Sequence, residues 1–296
     1  MKIALSITKS VEENAAKYFE EAKKARKKLV GVKKTITEFN EKKDDVEENL
    51  AGTEFVSAIK QVEDRQKFWF EKFRWMISSE GFLIIGGRDA TTNEIIVKKH
   101  TEKDDVVLHT DMAGSPFVTI KKSKKDVEEF FGIGLEETDF PKEPTEQSIK
   151  EAASFVLDHA RAWKLGMVTA AVFYVTPEQV SKEANPGEHL AKGSFMIRGK
   201  TNYIDTTVSF GVGLLTTTDE DKRTIVLGGP MSAVEKNCEH AIELIQGKEK
   251  ASVVAKQVRT FFLKKEQANV SIDAIVRVLP AGGCQVKKIR KRKYEL

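Results

Sequence analysis

The chain has 296 residues, 32% of them charged and 40% hydrophobic, with a formal net charge of +4. That is enough apolar material for one large domain or two modest ones, while no apolar run reaches the roughly 18 residues of a membrane span and MKIALSITKS turns polar too soon for a secretory signal. The only cysteines, Cys238 and Cys284, exclude a disulfide framework and a C-x-x-C metal site, and point to a reducing, cytoplasmic setting in which both serve packing.

In chain order, residues 11–50 carry apolar or small side chains at Val11, Ala15, Tyr18, Ala22, Ala25, Leu29, Val32, Ile36, Phe39, Val46 and Leu50. Steps of four and three alternate, interrupted only at Lys43, and this is the coiled-coil repeat. A helix of that length spans roughly 60 Å. No second heptad segment follows, so the seam needs a partner from outside this stretch. Gly52 and Thr53 punctuate, and EFVSAIKQVEDRQKFWFEKF reads as a second helix with Thr53 as N-cap.

The period then changes. RWMISSEGFLIIGGRDATTNEIIVKKH predicts two apolar strands around Ser79-Glu80-Gly81, the loop GGRDATTN, and a third strand over Glu94–Lys98. DVVLHT and PFVTIKK read as further strands. PTEQSIKEAASFVLDHARAWKLG reads as one helix, capped by Thr145, with Ile149, Ala153, Val156, Ala160 and Trp163 as its buried stripe and Gly166 as its stop. AAVFYVT, GSFMIRGK and VSFGVGLL add strands, and AVEKNCEHAIELIQ and KASVVAKQVRTFFLKK add two helices. The expected fold is α+β, a mixed sheet with packed helices over residues 53–283, preceded by the long N-terminal coiled-coil helix of residues 1–52 and followed by a basic tail, 284–296. The tail carries Lys287, Lys288, Arg290, Lys291, Arg292 and Lys293 against one Glu, and removing these from the totals of 49 basic and 45 acidic residues leaves a nearly neutral chain. Such an end is either solvated or an RNA-contacting tail.

GSFMIRGKT, residues 193–201, has the outline of a P-loop, but five residues separate Gly193 from Gly199 where that motif has four, and Phe195, Met196 and Ile197 suit a pleated surface better than an anion cradle. With period two it is a strand presenting Arg198 and Lys200 from one edge. In GGRD, the glycines allow close backbone approach and Arg88 offers a planar fork to phosphate or base, against the plainer reading of a turn in which Arg88 and Asp89 pair locally. In HTDMAGSP, His109 and Asp111 would share one strand face, with Gly114 and Ser115 beyond. A third metal ligand is missing nearby, so a structural or RNA-contacting role is favoured over catalysis. Cations on loops and strand edges recur at Arg88, Lys98, Lys99, Arg198 and Lys200, with Tyr203 nearby, as suits a surface that reads RNA backbone and shape.

The runs KFRWMISSEGFLIIGGRDATTNEIIVKKH, DVVLHTDMAGSP and VSKEANPGEHLAKGSFMIRGK together resemble the NFACT-R domain of the ribosome quality-control NFACT family, also called fibronectin-binding-like proteins. KSVEENAAKYFEEAKKARKK resembles the returning arm of the coiled coil that precedes that domain. The resemblance implies binding to the obstructed large ribosomal subunit and to tRNA, in support of mRNA-independent C-terminal tailing of nascent chains. It also implies a partnership with the N-terminal half of the family architecture, which this sequence lacks. Where many relatives have a second histidine after the aspartate of the HADLHGA-like motif, this chain has Ala113, so a catalytic or metal role for it does not carry over.

The expected function is therefore an RNA-binding, ribosome-associated module, not an enzyme and without cofactor or metal. Its RNA-binding residues are expected to be Arg88, Asp89, Lys98, His109, Asp111, Gly114, Ser115, Arg198 and Lys200. A homodimer through residues 11–50 is a further expectation. The alternatives are an RNA-processing enzyme using His109 and Asp111, or a coiled-coil structural or adhesion adaptor.

Overall fold

The computed structural model describes residues 6, 8, 10–50, 67–123, 125, 127, 128, 141–183, 190, 192–217 and 224–287. The chain divides into two compact units, Met1–Ile59 and Lys60–Leu296. In the first, helix α1 (Val11–Leu50) opens on a capping box: Glu13 N–H donates to Ser10 Oγ at 3.2 Å and Ser10 N–H to Glu13 Oε2 at 2.9 Å. Of the heptad positions, Val11, Leu29 and Val32 are exposed. The helix that Thr53 was expected to cap lies outside the described residues up to residue 66.

In the second unit a 3₁₀ turn at Trp69–Lys72 leads into β1 (Arg74–Ile77), β2 (Leu83–Gly86), α2 (Ala90–Ile95) and a π-helical turn, Ile96–His100. Next come β3 (Val106–Thr110), β4 (Val118–Ile120), α3 (Glu146–Asp158), α4 (Arg161–Leu165) and β5 (Thr169–Val175). β6 (Val180–Ser181), β7 (Met196–Ile197), β8 (Asn202–Thr207), β9 (Phe210–Thr216) and β10 (Thr224–Gly229) follow. The unit ends with α5 (Met231–Asn237), β11 (Ala241–Glu249), α6 (Ala251–Glu266), α7 (Ile272–Val278) and β12 (Cys284–Val286). The strands form a six-stranded sheet ordered β1-β2-β4-β3-β5-β8, a four-stranded sheet ordered β10-β9-β11-β12, and the ribbon β6-β7. Among the described residues every pairing is antiparallel, and helices pack on the sheets in an α+β arrangement.

Alternation along the strands decides which face of the first sheet does what. Leu108, Val118, Ile120 and Val172 point to the face covered by α3, whose Ala152, Ala153, Phe155 and Val156 join them in the main core. Val107, Phe117, Phe173 and Val175 point the other way and are covered by Val180, Phe195 and Ile197. His109 lies two residues from Val107 and so belongs to this second face. The second sheet buries Phe210, Val212 and Leu214 against Val254, Val258 and Phe262 of α6 and Ile275 of α7. Both cysteines are buried, and burial pushes the Cys238 thiol up to about 12 and that of Cys284 up to about 11.

Four expectations are corrected. Glu94–Lys98 is helical, not a strand: Asp89 caps α2 by accepting from Thr92 N–H at 2.8 Å, and the Lys98 ammonium lies 3.5 Å from Glu94 Oε2 one turn away. The β-branched run Ile95-Ile96-Val97 favours extended backbone, but the cap and the burial of Ile96 override that preference. AVEKNCEHAIELIQ is not one helix. It leaves the helix at Cys238 and becomes β11, in which Ile242 and Leu244 alternate inward opposite Val212 and Phe210. The helix expected to run to Gly166 breaks at His159–Ala160, although Thr145 accepts from Gln147 N–H at 3.1 Å and Gly166 ends α4 at φ 73° as expected. The strand expected over GSFMIRGK shrinks to β7, because Gly193 and Gly199 both take positive φ.

Candidate nucleic-acid interface

Three stretches far apart in sequence converge on one cleft of about 590 Å³. The first turn of α2 supplies Asp89, Ala90 and Asn93, with Gly87 and Arg88 ahead of it. The turn after β3 supplies Asp111 and Ala113 to Pro116, and the segment around β7 supplies Lys192 to Phe195. The walls are fitted to each other. A Cβ on Gly87 would fall 1.8 Å from Asn93 Oδ1, the oxygen that accepts Phe117 N–H at 3.1 Å. Glu94 receives Gly193 N–H at 3.0 Å and Lys182 at 2.7 Å, and these bonds, led by Lys182, hold its carboxyl down at about 2.

The floor is aromatic. His109 stacks on Phe117 with centroids 4.3 Å apart, Phe195 meets Phe117 edge-on at 4.8 Å, and Tyr203 meets Phe173 edge-on at 6.0 Å. His109 Nε2 donates to the Ser115 carbonyl at 3.2 Å, and burial, ahead of its other influences, holds its pKa below the usual imidazole value. Asp111 lies one residue past the end of β3, so it does not share a strand face with His109 as expected. Its Oδ2 accepts from the exposed Tyr203 hydroxyl at 3.3 Å.

Of the residues read as RNA-binding, Arg88, Asp89, His109, Asp111, Gly114 and Ser115 line this cleft, while Lys98, Arg198 and Lys200 do not. Several have local duties. Asp89 caps α2. Ser115 Oγ bonds Thr110 Oγ1 at 2.6 Å and donates to the Met112 carbonyl at 2.9 Å, pinning the turn in which Gly114 takes φ 87°. Arg88 donates Nε to the Lys72 carbonyl at 3.2 Å, Nη1 to that of Arg277 at 3.2 Å and Nη2 to that of Phe73 at 2.9 Å. Arg198 and Lys200 are exposed beyond β7, where Arg198 Nη2 donates to the Glu183 carbonyl at 3.2 Å. Sequence reasoning missed Arg74, His159 and Lys192, which also line the cleft. The one signal available for Arg74 was a charge heading the otherwise apolar strand RWMI.

The second unit is thus an α+β domain whose dispersed motifs build one preformed cleft. Residues 72–199 match the NFACT protein RNA binding domain, and the chain belongs to the NFACT family. It is 36% identical over 225 residues to the archaeal Rqc2 homolog aRqcH of Methanocaldococcus jannaschii, covering 76% of this chain and 30% of that one. It is 35% identical over 212 residues to the human ribosome quality control complex subunit NEMF, covering 70% of this chain and 18% of that one. The chain therefore spans less than a third of the length of these relatives. Among solved structures, the C-terminal part of the fibronectin/fibrinogen-binding protein from Streptococcus suis aligns over 73% of this chain and 80% of that one, at 16% identity and a TM-score of 0.35.

Proposed function

We propose that this chain is the RNA-binding part of a ribosome-associated, cytoplasmic quality-control factor. In this reading it engages the large ribosomal subunit and tRNA, supports mRNA-independent tailing of nascent chains, and has no catalytic centre of its own. The observation that carries the reading is the convergence of GGRD, HTDMAGSP and the Lys192–Phe195 segment on one cleft with an aromatic floor, cationic edges and exposed Tyr203. Aromatic faces accept any base, and cations at the rim hold the backbone that carries it. The geometry favours binding over proton transfer, since His109 Nε2 is committed to a main-chain carbonyl and Asp111 to Tyr203.

The test is filter binding of tRNA and co-sedimentation with large subunits, with RNA identification, for the full chain and for Lys192→Ala and Tyr203→Ala. Both side chains are exposed, so the fold is kept. Loss of the Tyr203 ring is expected to cost about 1–3 kcal/mol of RNA affinity, and binding is expected to weaken with salt. Unchanged affinity in both variants would remove the cleft from the reading.

A further inference from the structure

A second cavity of about 300 Å³ adjoins the cleft, and Arg74, Arg88 and His159 line both. Arg277 lines the second. Arg74 Nη1 contacts His159 Nδ1 at 3.0 Å. A guanidinium has no acceptor, so Nδ1 is the unprotonated nitrogen and the imidazole is neutral. Three of the five Arg88 N–H bonds go to main-chain carbonyls, which fixes the plane of its fork and leaves two free to point elsewhere. Among the described residues Nε and Nη2 of Arg74 have no protein partner, and none of the three guanidinium groups forms an ion pair with a carboxylate. Of the acids at the second cavity, Glu71 accepts from Phe68 N–H at 2.8 Å in its own 3₁₀ turn, and Asp273 is exposed in the first turn of α7.

Charges gathered this way oppose one another. Burial first, and Arg88 second, push Arg74 down to about 10. Partial burial, then Arg277, holds Arg88 below its usual value. His159 is kept neutral by burial, then by Arg74 and Arg88. Permanent cations that share a half-enclosed space with no carboxylate paired to them raise the free energy of the empty site, and an anion that bridges them relieves that cost. Planar forks match phosphate better than a point charge does.

We propose that Arg74, Arg88 and Arg277 form a phosphate pocket in the cavity that adjoins the cleft, which takes a phosphate group of single-stranded RNA whose base lies over the aromatic floor. The occupant rests on the RNA reading above, whereas the pocket rests on the arginines alone. The phosphate is either a terminal monoester or an internal phosphodiester, and the two are separable.

Inorganic phosphate titrated into the full chain, followed on the arginine Nε–H resonances, is expected to give a saturable one-site shift of Arg74. In Arg277→Ala and in Arg74→Lys, which keeps the charge and loses the fork, affinity is expected to fall roughly tenfold or more, while Lys256→Ala on the exposed face of α6 leaves it unchanged. Arg277 is an exposed helix residue, so its variant decides the matter even if Arg74→Lys fails to fold. A second arm compares one short single-stranded RNA with 5′-phosphate and with 5′-hydroxyl. Preference for the former marks a terminal monoester, equal affinity an internal phosphodiester, and both variants must weaken binding in either case. Absence of saturation by phosphate, or affinity unchanged in Arg277→Ala, overturns the pocket, and RNA binding that persists then leaves the wider RNA reading intact. Phosphate held through these arginines by a chain that binds no RNA overturns the RNA occupant and the RNA reading together.

Discussion

Gly193 and Ala90 approach so closely that a Cβ on Gly193 would lie 2.6 Å from both Cα and Cβ of Ala90, and Gly193 holds a φ of +81°. The glycine that gives GSFMIRGKT its P-loop outline therefore seats the segment on the first turn of α2, where its N–H reaches Glu94. Conformation and contact both require glycine here.

Gly193→Ala is accordingly expected to destabilise the domain by about 1–3 kcal/mol, from left-handed strain and forced separation of the two walls. Because those walls bound the cleft, RNA affinity should fall with it. A thermal melt matching wild type would show that the close approach is not obligatory.

Arg88 carries a different expectation from the one its loop position suggests. Read from the sequence, it is an edge cation removable at little cost, but its guanidinium ties together the Lys72, Phe73 and Arg277 carbonyls. Arg88→Ala is expected to cost about 1–2 kcal/mol of stability, in addition to any RNA affinity. The double change Arg198→Ala, Lys200→Ala touches exposed side chains and should stay within about 0.5 kcal/mol of wild-type stability. If these two cations meet RNA backbone outside the cleft, the double variant lowers the salt slope of binding. Chemical denaturation and salt-dependent binding separate the two sets.

Asp158 and His159 are both buried and titrate in opposite senses. Burial raises the Asp158 carboxyl well above 3.8, against the Ser209 N–H bond that lowers it, and its Oδ2 has no partner. The unfolded chain loses that proton first, so stability is full below 3.8 and falls as pH rises toward the folded value. His159 is depressed well below 6.5, so the unfolded chain gains that proton first, and stability falls as pH drops below 6.5. Asp158→Asn keeps an oxygen for Ser209 and removes the first effect. It is expected to raise the melting temperature at pH 7 and to leave a curve that only declines on acidification below 6.5, with His109, also depressed by burial, adding to the decline. A variant no more stable than wild type at pH 7 would mean that the carboxyl is not the liability its burial implies.

What the sequence disclosed about this site was its dispersed motifs. GGRD and HTDMAGSP were legible because glycines and short polar side chains between apolar strands need a local reason, and both do line the cleft. What stayed hidden depends on folding. Arg74 and His159 are 85 residues apart, and no spacing rule brings a strand-leading arginine to a helix-ending histidine. Glu94–Lys98 was misread because strand preference and helix capping compete within a few residues, and the capping bond from Asp89 is visible only when Thr92 is three residues along in a turn. β11 was misread because one apolar residue every two or four positions satisfies both periods, and pairing with β9 decides between them.

The hydrolytic alternative has its own measurement. Among the described residues no group of three or more His, Cys, Asp or Glu is disposed to hold a metal, and the purified chain is expected to carry no stoichiometric metal and to leave bound RNA intact. Zinc or manganese held at one per chain and lost in His109→Ala would reverse that expectation.

The last expectation concerns α1. Its heptads require a facing helix, because a two-stranded coiled coil is held by seam residues inserted between side chains of a partner. Val11, Leu29 and Val32 are instead exposed, by 80%, 56% and 57%, and a helix that presents seam positions to water gains little from its heptads. A second copy of the chain offers the same seam, so the isolated protein is expected to dimerise through residues 11–50, with a mass by light scattering that rises with concentration. Hydrogen exchange in residues 11–33 should slow in step with that mass. Deletion of residues 1–50 should return a monomer whose second unit melts as before and still binds RNA, since the cleft is built wholly from later residues. A chain that stays monomeric at all concentrations while residues 11–33 remain strongly protected would contradict the argument, because protection would then exist without the burial that is supposed to produce it.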